Sequence, residues 1–134
     1  MSNAIYPKFK QGALQALSNL GTAAVKCLLV TSGYAYSAAH ANLSDIPAGN
    51  RVATSPALTT KTFGTDGSFH SDNVTFAAVT GSAANAVVFF IDSGTESTST
   101  LIAYQDTGIA GLPITPSGAD IQLIEDAVNG WFKL

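Results

Sequence analysis

The second half of the chain constrains the fold most. Asn85–Asp92, Leu101–Asp106 and Asp120–Glu125 read as successive strands, separated by turns that carry Gly or Pro. Within the first of them, Ala86–Ile91 is apolar at every position, the pattern of a strand covered on both faces. No helical periodicity lies between these strands to make the crossovers that a parallel sheet requires.

The first half supplies further strands. Ala23–Thr31 is a nearly continuous apolar run broken by Lys26, which predicts a second central strand. Arg51–Ala53 and Leu58–Phe63 read as short strands interrupted by Ser55-Pro56, and a Pro that cannot donate to a ladder marks an edge or a bulge. Val74, Phe76 and Ala78 alternate with Thr75 and Ala77, as in a half-buried strand, after the turn signal Thr65-Asp66-Gly67. Strict alternation puts Leu101, Ala103 and Gln105 on one face of their strand, with Ile102, Tyr104 and Asp106 on the other.

Two segments predict helix. Ile5–Leu20 has Pro7 suited to a first helical position, and Phe9, Ala13, Leu14 and Leu17 follow on one face before Gly21. Such a helix needs a docking surface or a partner to persist. Ser37–Leu43 reads as a one-to-two-turn helix with Ser37 as N-cap. The fold class expected is mainly β: an antiparallel β-sandwich or barrel with an N-terminal helix and one short additional helix. At 134 residues, without internal repeat or linker, residues 1–134 form a single domain in this reading.

Composition bears on partners. Only 11% of residues are charged, against about 25% in typical soluble domains, so charge repulsion does little to keep a β-rich surface monomeric. Assembly into a homo-oligomer or a larger particle is therefore expected. The net charge is −3, and Lys8, Lys10, Lys26, Arg51, Lys61 and Lys133 are dispersed, so no nucleic-acid partner is expected. Cys27 is single and lies in an apolar run, which predicts a buried, inert thiol. The N-terminus lacks a long apolar core, and the longest apolar run is far shorter than the roughly 20 residues of a bilayer span. No secretion signal and no membrane association are expected, only a soluble protein assembled in a cytoplasm.

Chemistry-bearing motifs are sparse. His40 and His70 share no metal-ligand spacing. Asp72 near His70 admits a dyad, although a surface loop over Phe69–Asn73 is the simpler reading. Asp66, Asp72, Asp92, Glu96, Asp106 and Asp120 fall in loops or at strand ends, where Asp commonly forms turns, and no calcium-loop pattern joins them. Gly-x-Ser-x-Gly, Gly-x-Gly-x-x-Gly and the P-loop are missing. Phe63, Phe69, Phe76, Phe89 and Phe90 at strand spacing read as core. No catalytic residue, cofactor or metal is assigned, and no enzymatic activity is expected.

Several segments carry a resemblance. They are Ser2–Lys10 (Ser-Asn-Ala-Ile-Tyr-Pro-Lys-Phe-Lys), Tyr36–Pro47, Leu101-Ile-Ala-Tyr104, Leu112–Leu123 and Trp131-Phe-Lys-Leu134. On these the whole chain resembles small virion-associated structural proteins of tailed bacteriophages. Asp126–Gly130 departs from the Trp-Asp-Asn-Gly type of turn found in related-looking proteins. The resemblance implies a virion protein without catalysis, in first place a capsid decoration (cement) protein partnered by the major capsid protein. A tail-tube, neck or adaptor component is the next reading, and a carbohydrate-binding module on the virion surface the third. The arm Met1–Phe9 and the tail Trp131–Leu134 are the contact candidates, through Tyr6, Pro7, Phe9, Trp131, Phe132 and Leu134.

Overall fold

The computed structural model describes residues 3–134. Strands are numbered along the chain. Val25–Val30 (β2) and Ala86–Ile91 (β7) pair antiparallel over their whole length, from Val25 opposite Ile91 to Val30 opposite Ala86. Leu101–Gln105 (β8) pairs with β7, and Ala4–Ile5 (β1) pairs with β8. Arg51–Thr54 (β3) lies on the far side of β2, so the sheet runs β1-β8-β7-β2-β3 with every pairing antiparallel.

Both faces of this sheet are buried, each by a different cover. One face presents Val25, Cys27, Leu29, Val87 and Phe89 to two smaller sheets. Thr62–Phe63 (β4), Ser68–His70 (β5) and Phe132–Lys133 (β10) form the first, in the order β10-β5-β4. Val74–Phe76 (β6) and Ile121–Leu123 (β9) form the second. Phe69, Phe76, Leu123, Trp131 and Phe132 fill the space between the layers. The opposite face, with Leu28, Val30, Val88 and Phe90, lies under Tyr6, Tyr34, Ile46 and Tyr104. The segment from Thr31 to Asn50 provides much of that cover and holds two 3-10 turns, Leu43–Asp45 and Ala48–Asn50. The chain is thus mainly β and sandwich-like, and it does not close into a barrel.

Several expectations change. The helix (α1) is Pro7–Leu14, not Ile5–Leu20. Pro7 starts it as expected, but Phe9 is its only buried residue, and Leu14 and Leu17 stand 90% and 77% exposed. With no surface beneath them, apolar spacing alone does not propagate a helix. Ala16 instead takes a positive φ of 57° and ends the segment before Gly21. Of Ser37–Leu43, residues 37–42 are not helical; Leu43 opens the first of the two 3-10 turns that take the place of the short helix. Of Leu58–Phe63 only Thr62–Phe63 is strand, and Phe63 is exposed rather than core. Around Pro56 the chain runs irregularly along β2. Ser55 and Leu58 donate to the Cys27 and Val25 carbonyls, and Ser55 Oγ accepts the Cys27 N–H at 2.9 Å.

The face assignment in β8 is also corrected. Phe89 pairs with Ala103 and Phe90 with Leu101, leaving Ile102 as an extra residue in a bulge. Ile102 and Ala103 therefore turn to the same core, whereas Leu101 and Tyr104 share the other. Gln105 sits opposite Val87, on the interlayer side.

Gly130 illustrates how closely the C-terminal segment is docked. Its φ is +70°, and a Cβ there would run into the Phe69 carbonyl. Gly130→Ala should lower unfolding free energy by more than about 2 kcal/mol in urea titrations. Leu14→Glu should stay within about 0.5 kcal/mol of the parent, the reverse of what a buried helix face would give.

Candidate functional site

A concavity lies where two sheet edges meet. Tyr6 N donates to the Ile102 carbonyl at 3.0 Å, and Ile5 sits opposite Ala103. Antiparallel alternation then turns the N–H and C=O of Ile5 away from β8, toward the unpaired edge of β1. On the small sheet, Leu134 N donates to the Gly67 carbonyl at 3.1 Å and Lys133 sits opposite Ser68. The same alternation turns the main-chain groups of Lys133 away from β5. Ile5 and Lys133 both line a cleft of about 550 Å³ that opens at these edges.

The cleft reaches into the interlayer space. Trp131, Phe132 and Ile109 give it an apolar floor. Gln105 lines it too and is only 6% exposed, yet its side-chain amide has no hydrogen-bond partner among the described residues. The amide is open to the cleft, so water or a ligand can reach it there. At the rim, Lys133 lies 3.1 Å from Asp66, and Asp126 Oδ1 accepts the Val128 and Asn129 N–H groups. Lys10, also at the rim, is exposed and has no carboxylate partner among the described residues.

Beside the cleft runs a polar array. Ser68 Oγ is 3.1 Å from His70 Nε2, and His70 Nδ1 is 3.1 Å from Glu125 Oε2. The order Ser, His, acid resembles a nucleophile relay, but Ser68 is buried and its hydroxyl donates to Asp66 Oδ1 at 2.7 Å. Gly64 packs so near Ser68 Oγ that even a Cβ would collide with it, which leaves a substrate no approach from that side. Asp72, the partner anticipated for His70, instead accepts hydrogen bonds from Thr59 and Thr60. No three His, Cys, Asp or Glu side chains converge as a metal site among the described residues. No described helix is long and apolar enough to cross a membrane.

On the other face all four tyrosines gather. Tyr6 and Tyr34 share a hydrogen bond of 2.7 Å between their hydroxyls, and Tyr34 OH lies 2.9 Å from His40 Nδ1. Tyr36 and Tyr104 complete the group by ring contacts. Burial pushes the Tyr6 hydroxyl far up, and the Tyr34 hydrogen bond adds to this. Burial likewise raises the Cys27 thiol far above its ordinary value, the state of an inert core thiol.

The six contact candidates divide. Tyr6, Phe9, Trp131 and Phe132 are buried in this chain's own cores. Trp131 Nε1 donates to Ser71 Oγ at 2.7 Å, and Phe132 stacks on Phe69. The apolar tail is therefore covered by its own domain, which leaves Pro7 and Leu134 as the candidates presented at the surface. Met1 and Ser2 lie outside the described residues. Sequence reasoning missed Glu125, which is 55 positions from His70 and marked by no spacing. It also missed the cleft, whose one hint was a Gln within an otherwise apolar strand.

Tyr34→Phe strips partners from both Tyr6 and His40 and should cost about 1–3 kcal/mol in chemical denaturation. The turn carboxylates set the acid response. Asp66 is held well below the usual range by the Ser68 hydroxyl and N–H and by Lys133. Asp45 is lowered by the Asn42 and Ala41 N–H groups, and Asp126 by those of Asn129 and Val128. Carboxyls depressed on folding contribute stability above their unfolded value of about 3.9, and that stability is lost as pH falls toward the folded values. Urea midpoints should hold steady above roughly pH 5 and decline below pH 4. Asp66→Asn should make that decline shallower.

No family model matches the chain, and no curated protein matches it.

Proposed function

We propose that the chain is a structural protein of a tailed-bacteriophage virion, acting as a capsid decoration protein that binds and braces the major capsid shell. The resemblance of its terminal and central segments supports this reading. The observation that carries it is a surface suited to assembly over two well-packed cores. Core polar groups such as Ser71, Tyr6 and Tyr34 are engaged in structural hydrogen bonds. The surface meanwhile keeps unpaired strand edges and the exposed side chains Leu14, Leu17, Phe63, Val128 and Leu134.

Bracing would proceed by burying those apolar side chains and extending sheet edges across subunit boundaries. In this reading the protein forms a small homo-oligomer on the shell. Cryo-electron microscopy of the intact particle tests it directly. Density of this fold over the capsid exterior is the expected outcome. Density confined to the neck or tail would reassign the protein to the connector or tube, and no density anywhere would remove the virion role.

A further inference from the structure

The cleft between β1 and β10 has the makings of a vacancy for one more strand. Two free strand edges border it, one from each layer, and each turns main-chain N–H and C=O groups out of its own ladder at Ile5 and Lys133. Between them an apolar floor of Ile109, Trp131 and Phe132 suits an inserted side chain. Gln105 is more than nine-tenths buried, and its amide, open to the cleft, bonds no other described residue and can take a donor and an acceptor. A polypeptide backbone offers both together at regular spacing.

We infer that this cleft accepts an extended peptide segment from another protein, which pairs along β1, sinks one apolar side chain over Trp131 and bonds Gln105. The rim indicates the segment's charge. Lys133 and Asp126 are already engaged, while Lys10 stands without a carboxylate partner among the described residues. The incoming strand is therefore apolar with an acidic residue near the rim. The inference rests on the virion reading only for the donor's identity, a neighbouring subunit's arm.

Panning a display library of short random peptides against the whole protein tests it without any virion component. Enriched peptides should be apolar with a carboxylate, and should shift the backbone amide resonances of Ile5, Gln105 and Lys133. Ile5→Pro removes the outward N–H at an edge position that tolerates Pro, and should weaken binding about tenfold. Ile5→Val keeps the N–H and should bind like the parent. Gln105→Met should bind more weakly while melting within a few degrees of the parent, because the amide bonds no other described residue of the protein. Weaker binding at unchanged stability is not expected of a residue with a purely structural role.

No enrichment, shifts mapping elsewhere, or equal binding by Ile5→Pro and Gln105→Met would overturn the inference. Self-association shifting the same residues would also overturn it, since the occupant would then be a second copy. Protein present on the particle with a negative peptide result would sink the cleft and leave the virion role standing; the converse pattern would do the opposite.

Discussion

The pairing of β2 with β7 is the interaction on which the other elements depend. Two strands, each apolar at nearly every position, meet in unbroken register from Val25–Ile91 to Val30–Ala86. A strand pair of this composition has no face that can be left to water, because each side exposes a run of aliphatic and aromatic surface. The remainder of the chain supplies covers. On one side these are small sheets made of short strands, on the other a loop whose aromatic side chains do the covering. Lys26, the one charged interruption, sits opposite Phe90, one step from the start of β2, and pairs with Asp92 at 2.6 Å.

Covering two faces with one short chain leaves edges unfinished. β1 and β10 contribute only two residues each, enough to close the layers over Trp131 and Phe132 but too few to seal the corner between them. The cleft and its stranded amide arise at that corner. The exposed Leu14 and Leu17 have a related origin, since the helix extends past the core that anchors it through Phe9.

What could be read in the sequence was what periodicity controls. Ala86–Ile91 emerges with its predicted limits, Val25–Val30 lies within the apolar run, and Val74 and Phe76 point inward around an exposed Thr75. Pro7 marks the helix start because its missing N–H and fixed φ act locally. The helix end was not legible, because it depends on whether a surface lies under Leu14. The bulge at Ile102 was hidden for a similar reason: it arises from the match between β8 and β7. The cleft draws on Ile5, Gln105, Ile109 and Lys133, none of which stands out until the topology joins them. The arm and tail were read as contacts for a partner; that the chain's own cores bury Tyr6, Phe9, Trp131 and Phe132 is a matter of tertiary arrangement that spacing does not carry.

The two covers also differ in their chromophores. All four tyrosines belong to the loop-covered face, and the single tryptophan belongs to the space between the layers. The central sheet separates two natural optical reporters, one on each side. Tryptophan emission follows the packing of the small sheets and the cleft floor, while near-ultraviolet tyrosine dichroism follows the loop that shields the opposite face. Whether the two sides loosen together or in turn is open to direct observation without a label.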